Sequence, residues 1–519
     1  MVNDSLKLLN TSALKEKIEC LRNESKSVVL CFGHFNVIHP GHMRYLNFAA
    51  NLGDYLLVAV EHFEPESEAS KAYFDQAERA QSVATLGMVD GVFALEGAIE
   101  EFIPNVGPNF YVKGKEFEDK RDLIRGEIEA AESCGAKVIF CSGEVKYTST
   151  QFLYEKEDTR KERKVENFLK VCERQDISLE KITNCIESFK NQKILVIGDT
   201  IVDQFVACDS LGVSSEAPVQ VIRELNAREF VGGAAIVALH VKELGAECSF
   251  FSVIGDDPAG DFVSRKLAES GVNTFLYKDE GRPTTFKIRY MVENQKILRV
   301  SRLKQHKIAK ELEDTILENL ESEIKRVDGV IISDFVYGLI TQKVLDGIIQ
   351  IAHKNGVKVF ADVQASSQIG HVSKFKGVSL ITPTEKEARL ALADETSGLE
   401  ELAQTLIQKT GNENLVITLG EQGLLVYRPS DDRQAPYESE YFGSLSTHAI
   451  DVAGAGDALL SCMSLGLCAG LSVTESAALG TCMSAISVER VGNNPIGPSD
   501  LTSYVTNLKN HHLRGLSVY

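Results

Sequence analysis

Short apolar runs alternate with stretches of helical periodicity along most of this chain of 519 residues, and this alternation limits the fold more than any other feature. In the first part of the chain, the helical patterns include residues 42–53 and 76–87, which lie between apolar runs. Strands that are separated by helices favour a parallel α/β sheet. The strand candidates in this part are SVVLCFG, DYLLVAVE, GVFAL, FYVKG and KVIFCSG.

The second part of the chain shows the same alternation and a second kind of pattern. Residues 217–230 and 284–303 alternate polar and apolar side chains, and the latter stretch carries a turn at residues 293–295. This periodicity is typical of antiparallel strands, so we predict a small antiparallel sheet beside the main α/β sheet. The candidates for the main sheet are ILVIGD, CSFFSVIG, GVIISDF, KVFADV, VSLITP and NLVITLG.

A charged stretch, residues 154–192, separates the two parts of the chain. It mixes both signs of charge with helix formers and contains no glycine or proline, which favours a helical connector over a flexible linker. A chain of this length exceeds one ordinary core. We predict an N-terminal helical extension, a first domain, a helical connector and a second domain at residues 1–26, 27–158, 159–192 and 193–519.

The charge balance and the cysteines limit the partners and the compartment. The formal net charge of −19 argues against a general nucleic-acid binder, although it leaves room for a local basic pocket. Eleven cysteines without a CxxC pair indicate reduced thiols. The amphipathic N-terminus is unlike a signal peptide, and the longest apolar run, residues 458–471, is too short for a bilayer and predicts a buried helix. We expect a cytoplasmic protein without nucleic-acid or membrane partners.

The first candidate site is the segment GHFNVIHPGH, residues 33–42. A strand ends at Gly33 and a helix begins at Pro40, so His39 and His42 flank a helix start at the carboxyl edge of a parallel sheet. Unpaired N–H groups at a helix N-terminus attract phosphate, and imidazoles there could donate hydrogen bonds to it. Zinc would need further ligands, which no nearby Cys/His cluster supplies. The strand–glycine–helix setting favours phosphate over zinc or a plain polar turn.

These residues resemble the HxGH motif of the cytidylyltransferase-like nucleotidyltransferases. Further pieces match across about residues 27–153: a Glu-Arg pair at Glu78 and Arg79, a Val-Lys-Gly piece, and a Ser/Thr-rich piece before the last helix. The resemblance implies a Rossmann-like nucleotidyltransferase domain. The nucleotide-binding residues that it implies are Gly33, His34, Phe35, His39, His42, Arg79, Lys113, Gly114, Thr148, Ser149 and Thr150.

The same resemblance implies catalysis by positioning and electrostatics, without a nucleophilic residue. His39, His42 and Lys113 hold the phosphates while a sugar or alcohol phosphate attacks the α-phosphate and pyrophosphate leaves. Mg²⁺ offsets the negative charge. One position departs from the family: Asn36 stands where an aspartate is usual, and it keeps the shape of that residue without its charge.

The second candidate site is a Gly-Ala-Gly step before an apolar helix, followed by Asp457. Small residues at this step let backbone amides approach an anion. Asp457 on the first helical turn could act as a general base or could merely complement the helix dipole.

The surrounding motif, DVAGAGD, resembles the DTxGAGD motif of the ribokinase-like sugar kinases, and other pieces match over about residues 193–500. The implied fold is a three-layer α/β/α domain with a small β-sheet lid, which in this family often serves as a dimer surface, so we expect a homodimer through the lid. Asp457 is then the catalytic base, and Glu387, with Thr384 in place of a usual asparagine, helps to place Mg²⁺. The ATP-binding residues that the resemblance implies are Thr418, Gly420, Gly423, Ala453, Gly454, Ala455 and Gly456. The sugar-binding residues that it implies are Asp199, Asp203, Gly232, Gly233, Lys287 and Asp457.

Within these kinases the lid segments are similar to those of heptose 7-phosphate kinases. The family of bifunctional heptose-phosphate kinase/adenylyltransferases joins the same two domains with the kinase first, whereas here the transferase comes first. Tyr337 and Gln364 stand where the heptose pattern has lysines, and the resemblance implies that such lysines hold a substrate phosphate. Lys287, Arg289 and Arg299 are possible substitutes, or they lie on solvated strand faces.

The two motifs together predict consecutive reactions. A kinase would make a sugar 1-phosphate from ATP, and a nucleotidyltransferase would use ATP or CTP to convert it into an NDP-sugar for a cell-surface glycan such as lipopolysaccharide or capsule. One alternative is an alcohol-phosphate cytidylyltransferase beside an unrelated sugar kinase. Another is a regulatory protein in which one domain is a degenerate enzyme, for which Asn36 and Thr384 are the only support.

Overall fold

The structure is a computed structural model in which the chain forms two compact units, residues 1–156 with 394–402 and residues 157–393 with 403–519. It describes residues 7–35, 40–50, 52–62, 75–114, 117, 121–141, 157–217, 219–292, 295–364, 371–394, 397–429 and 437–516. The domain boundaries that the sequence predicts stay predictions.

The first unit is built on a parallel sheet. Its strands are β1 Val28–Gly33, β2 Tyr55–Glu61, β3 Gly91–Leu95, β4 Phe110–Gly114 and β5 Lys137–Cys141, and its helices are α1 Thr11–Asn23, α2 Pro40–Ala50, α3 Gln76–Ala84, α4 Ile99–Val106 and α5 Arg125–Ser133. The strand order is β3-β2-β1-β4-β5, with every pair parallel. All the strand candidates of this part form strands, which confirms the predicted α/β sheet.

Both faces of this sheet are covered, which explains why its central strands are continuous apolar runs. Leu30 and Leu57 face a core that includes side chains of α1 and α4. Cys31 and Val58 face the other core, with residues of α2 and α3. Strand β1 ends at Gly33 and α2 begins at Pro40, and α2 packs on the face of the sheet that carries the second core.

From residue 157 onward, the strands are β6 Lys193–Gly198, β7 Thr200–Val213, β8 Gln220–Gly233, β9 Glu247–Ile254, β10 Asn273–Lys278, β11 Thr285–Val292, β12 Gln295–Arg302, β13 Gly329–Asp334, β14 Lys358–Val363, β15 Leu380–Ile381, β16 Leu415–Thr418, β17 Gly423–Pro429 and β18 Tyr437–Gly443. The helices are α6 Glu157–Arg174, α7 Leu179–Ser188, α8 Ala234–Glu243, α9 Pro258–Glu269, α10 Lys310–Ile324, α11 Gln342–Asn355, α12 Glu385–Leu392, α13 Leu399–Thr410, α14 Ala455–Cys468, α15 Val473–Val488 and α16 Pro498–Leu516.

The main sheet of the second unit has nine strands in the order β10-β9-β6-β13-β14-β15-β16-β17-β18. Its strands are parallel from β10 to β16, and β17 and β18 run antiparallel. Helix α14 is buried along nearly its whole length in the core, as the apolar run at residues 458–471 predicts. Among the described residues, no helix combines the length and apolar character needed to cross a membrane.

The second sheet of this unit has four strands in the order β12-β11-β7-β8. The predicted hairpin is confirmed, since β11 and β12 pair antiparallel. The alternation of residues does not predict β7, because polar residues such as Asp203 and Gln204 interrupt its apolar pattern. Strand β7 pairs antiparallel with β8 and parallel with β11, and it places Asp203 beside Lys287 of β11.

Residues 159–192 are helical, as their composition predicts. Helices α6 and α7 bury apolar side chains in the core of the second unit, among them Phe168, Cys172, Ile182 and Ile186. Arg174 of α6 also forms an ion pair with the buried Glu440 of β18. This segment is therefore an integral part of the second unit.

Candidate active sites

Two residues of the predicted nucleotide site lie at the carboxyl edge of the first unit's sheet. Gly33 ends β1, and Gly114 ends the neighbouring β4. Phe35 is buried with a left-handed φ of 47°, and its ring centroid lies 5.2 Å from that of His42. Five residues named from the sequence, Asn36, His39, Thr148, Ser149 and Thr150, lie outside the described residues.

The Glu-Arg pair of α3 braces this edge. Asp75 and Glu78 form a reciprocal capping box at the start of the helix. The buried Arg79 guanidinium donates hydrogen bonds to the carbonyl oxygen of His34 and, at 3.0 Å, to that of Glu61. Burial lowers the pKa of Arg79 from its ordinary value. In this arrangement Arg79 holds the segment that follows β1 and the end of β2, and its contact with a nucleotide stays a prediction.

Lys113 is buried at the end of β4, where its Nζ atom lies 2.9 Å from Oε2 of Glu127 on α5. The Tyr111 hydroxyl donates a hydrogen bond to the same carboxylate. The Nζ atom also lies 4.5 Å from the ring centroid of Phe117 and 5.1 Å from that of Phe32. Contact of Lys113 with a triphosphate stays a prediction, and Glu127 is a partner that the sequence reasoning missed.

In the second unit, the Gly-Ala-Gly step forms the N-terminus of α14. Gly454 is the N-cap with a left-handed φ of 81°, which suits glycine. A side chain at Gly456 would meet no atom within 4 Å, so the space beside the first turn is open. The Ala455 N–H lies 3.5 Å from the carbonyl oxygen of Val452, a long contact that leaves the amide available to a better acceptor.

Asp457 occupies the same first turn and is only 4% exposed. Its Oδ1 atom accepts a hydrogen bond from Nε2 of Gln364 at 3.2 Å. Burial, and secondly the charge of Asp203, raise the pKa of Asp457 to about 7, while Gln364 and Lys287 act in the opposite direction. A carboxylate with this pKa can accept and release a proton near neutral pH.

Asp203 lies close by on β7 and is held from two sides. Arg289 of β11 forms an ion pair with its Oδ1 atom, and Asn493 donates to its Oδ2 atom at 3.0 Å. A Cβ atom at Gly232 would come closer to this carboxylate than the 3.0 Å that real Cβ atoms respect. Gly232 therefore makes room for Asp203, and Gly233 has a left-handed φ of 62°.

The Asp199 carboxylate is occupied by hydrogen bonds from the protein backbone. Its buried carboxylate accepts backbone hydrogen bonds from Phe335 at 3.1 Å and Tyr337 at 3.0 Å, in the segment after β13. Burial, and secondly the charge of Asp334, raise its pKa to about 7. Asp199 thus fixes the segment that carries Tyr337, and sugar contact by Asp199 stays a prediction.

Lys287 and Tyr337 form a buried basic and aromatic wall beside Asp203. The Nζ atom of Lys287 lies 5.5 Å from the ring centroids of both Phe335 and Tyr337. Within the described part of the chain, the Tyr337 hydroxyl is buried without a hydrogen-bond partner. The lysine that the heptose pattern has at this position is therefore replaced by a ring that packs beneath another lysine.

The predicted magnesium piece at Thr384 and the predicted ATP piece at Thr418 lie side by side. Thr384 and Thr418 pair as a short parallel bridge. Gly420 and Gly423, which have left-handed φ values of 61° and 113°, form the turn between β16 and β17. Glu387 accepts hydrogen bonds from the backbone and hydroxyl of Thr384, both at 2.8 Å.

Two segments of the chain match the models of two known protein families. Residues 191–499 match the model of the pfkB family carbohydrate kinases. This chain belongs to the pfkB family. Residues 30–129 match the cytidylyltransferase-like model, which confirms both resemblances and their order along the chain. We call these segments the pfkB domain and the cytidylyltransferase-like domain.

The relatives are bacterial bifunctional proteins. The chain is 33% identical over 321 residues to the bifunctional protein HldE of Desulfatibacillum aliphaticivorans, a match that covers 61% of this chain and 63% of that protein. It is 31% identical to HldE of Sulfurimonas denitrificans, over 62% of this chain and 67% of that protein. The chain thus spans slightly less than two thirds of the first of these relatives.

Among solved structures, phosphofructokinase-2 from Escherichia coli in complex with potassium aligns with a TM-score of 0.51 at 17% identity, covering 61% of this chain and 99% of that protein. This likeness shows the fold alone, and it confirms the predicted ribokinase-like architecture of the pfkB domain.

Several residues of the pfkB domain escaped the sequence reasoning. Asn493 follows α15 in the segment GNNP, and the signal that could have found it is a polar pair after a buried helix. Asp451 forms an ion pair with Lys296, whose Nζ atom lies 3.1 Å from Oδ1 of Asp451. The same carboxylate accepts a hydrogen bond from the backbone N–H of Ala453, the residue before the Gly-Ala-Gly step. Asp334 is paired with Lys374, which comes from far along the chain.

Proposed function

We propose that this chain is a bifunctional transferase that makes a nucleotide-activated sugar. The pfkB domain transfers the γ-phosphoryl group of ATP to the anomeric hydroxyl of a sugar or of a sugar phosphate similar to a heptose 7-phosphate. The cytidylyltransferase-like domain transfers a nucleotidyl group from ATP or CTP to the sugar 1-phosphate and releases pyrophosphate. The observation that carries the proposal is Asp457, a buried carboxylate with a pKa of about 7 on the first turn of a buried helix.

In the kinase step, Asp457 accepts the proton of the anomeric hydroxyl as its oxygen bonds to the γ-phosphorus and ADP leaves. The N–H groups of Ala455 and Gly456 at the helix N-terminus stabilise negative charge on the transferred group. Burial of the site strengthens these interactions, because water does not screen them.

The sugar subsite contains both an acceptor and cations. Asp203, held by Arg289 and Asn493, offers a fixed carboxylate for sugar hydroxyls. Lys287 is buried against rings, and the carboxylate nearest to it in register, Asp203, is already paired with Arg289. A buried ammonium favours an anionic partner, which supports a phosphorylated sugar as substrate.

Mg²⁺ fits the acidic side of this site as a companion of the nucleotide phosphates. Burial is the main cause that raises the pKa of Asp362 well above its usual range, and the charges of Glu387 and Asp457 raise it further. The described residues contain no group of three or more His, Cys, Asp or Glu that could hold a metal directly. Mg²⁺ commonly uses one or two carboxylates, waters and substrate phosphates, and Glu387 and Asp362 would face it through water. Bound there, it neutralises phosphate charge.

In the transferase step, the sugar 1-phosphate oxygen attacks the α-phosphorus of the nucleotide. His39, His42 and Lys113 hold the triphosphate, with Gly33, His34 and Gly114 at the strand ends and Thr148–Thr150 nearby. Arg79 keeps the segment after β1 in place. Lys113 would exchange its partner Glu127 for phosphate oxygens, or contact both.

We also propose that the chain is a homodimer through the four-stranded sheet of the pfkB domain. That sheet exposes large apolar side chains, namely Leu225, Ile297, Leu298 and Val300. These side chains lie on the two edge strands, β8 and β12, which are the strands that a partner sheet would cover.

The proposal is tested by ADP release with ATP and a panel of free aldoses and aldose phosphates that includes a heptose 7-phosphate. We expect Asp457→Asn to lower kcat by about a thousandfold or more, because the general base is lost. The matched control is Asp261→Asn, which changes an exposed first-turn carboxylate of α9. Near-normal turnover of Asp457→Asn would overturn the base assignment, and no turnover of the unaltered chain with any sugar would overturn the kinase.

A further inference from the structure

Gln364 lies directly after β14, between two buried carboxylates. Its Nε2 atom donates to Oδ1 of Asp457 at 3.2 Å. Asp362, at the end of β14, lies near the same amide, which lowers the pKa of Asp362 against the larger opposing effect of burial. Asp362 itself accepts a hydrogen bond from Thr382 at 3.2 Å.

The hydrogen bond from Gln364 makes the two oxygens of the Asp457 carboxylate unequal. Oδ1 is held by Gln364, whereas the described residues offer Oδ2 no hydrogen-bond donor. Because one oxygen is fixed, the carboxylate plane has a preferred orientation. The other oxygen is then available for the proton of an incoming hydroxyl, and a fixed base reduces the ordering needed at the transition state.

We propose that Gln364 is a positioning residue of the kinase step: it orients the base Asp457 by donating a hydrogen bond to one oxygen of its carboxylate. This inference rests on the proposed kinase function and goes beyond it, since it assigns a role to a residue that departs from the heptose pattern. A neutral amide in place of a lysine holds the base without adding a positive charge next to it.

The charges around Asp457 fix the sign of the expected effect. Asp203 faces it from β7 and raises its pKa, Lys287 from β11 lowers it, and Gln364 lowers it through the hydrogen bond. Asp362 of β14 also interacts with Asp457, and burial, followed by the charges of Glu387 and Asp457, raises the pKa of Asp362 well above its usual range. Loss of the Gln364 donor therefore favours the protonated, inactive base, whereas a cation at position 364 favours the anion.

The test compares Gln364→Leu and Gln364→Lys by ADP release between about pH 5.5 and 9, with the most active sugar of the panel described above. For Gln364→Leu we expect the acid limb of kcat to move to higher pH, so that kcat falls about tenfold at pH 6 and about threefold or less at pH 8.5. For Gln364→Lys we expect the limb to move to lower pH. The KM for ATP should change less than about twofold in both, because Gln364 contacts the base rather than the nucleotide turn.

Gln350→Leu on the exposed face of α11 is the matched control and should leave the profile unchanged. The inference is overturned if Gln364→Leu loses the same factor at every pH, as a merely structural residue would, or if both variants keep the original acid limb. If Asp457→Asn is inactive while the limb stays fixed, the base assignment survives and only the role of Gln364 fails. If the unaltered chain releases no ADP, both proposals fail.

Discussion

At the scale of single residues, Gly232 has the clearest steric role. A side chain at this position would enter the space of the Asp203 carboxylate and approach the amide of Asn493. The Gly-Gly motif is thus explained by close approach of the Asp203 carboxylate to Gly232, as well as by the left-handed φ of Gly233.

We predict that Gly232→Ala raises the sugar KM by about tenfold or more, because the Cβ atom displaces Asp203 from Arg289 and Asn493. The KM for ATP should stay nearly constant. Steady-state ADP release at varied sugar and at varied ATP measures the two values. Gly87→Ala, at a glycine with open space around it, is the control. An unchanged sugar KM would contradict this account of Gly232.

The pKa of Asp457, raised to about 7, also predicts the pH dependence of the unaltered kinase. The base must be ionised, so kcat should fall about tenfold per pH unit below that pKa and level off above it. The sign follows from the direction of the shift: a pKa near that of a free carboxyl would keep the base ionised down to about pH 4. Rates of ADP release across pH measure it, and a flat profile from pH 5 to pH 8 would refute the role of Asp457.

Residue identities within the sites were predictable only where a local motif carries them. Asp457, Gly454 and Gly232 stand in such motifs. Glu127, Asn493 and Lys374 do not, because each reaches its partner, Lys113, Asp203 or Asp334, across a separation along the chain that no local pattern reveals. The role of Asp199 also needed the structure, since its acceptors are filled by backbone N–H groups of a distant segment.

At the scale of elements, the composition of residues 154–192 predicted the helices α6 and α7 but did not predict that they pack into the core of the second unit. The segment carries many charges, which suggests a solvated connector. Its apolar positions nevertheless form a stripe that is buried in the second unit, with Phe168 and Ile182 almost fully covered. Strand β7 was missed because polar residues, among them the buried Asp203, interrupt its apolar pattern.

We predict that a fragment of residues 157–519 folds, and that a fragment of residues 193–519 aggregates or unfolds at a much lower temperature. The shorter fragment exposes the apolar surface that α6 and α7 cover and loses the ion pair between Arg174 and Glu440. Exposure of several large apolar side chains costs about 1.5–3 kcal/mol each. Thermal unfolding followed by circular dichroism measures the difference, and equal midpoints for the two fragments would show that these helices are a dispensable connector.

At the scale of the whole molecule, the sequence motifs predict both families and their order, because each catalytic segment is short and carries its own chemistry. The substrate is less accessible to sequence reasoning. The lid segments resemble those of heptose 7-phosphate kinases, but at the two positions of the missing lysines Tyr337 packs under Lys287 and Gln364 donates to Asp457. On this ground we propose that the substrate is a related but distinct sugar phosphate.

The central claim is that one chain makes a sugar 1-phosphate and then activates it, and pyrophosphate release by Asp457→Asn tests it most directly. The variant receives ATP, CTP and the sugar that supports ADP release in the unaltered chain. We predict no pyrophosphate from that sugar, and release at the unaltered rate once the corresponding sugar 1-phosphate is supplied. Pyrophosphate formed from the sugar alone at the unaltered rate, or none formed by the unaltered chain from the sugar 1-phosphate, would contradict the account.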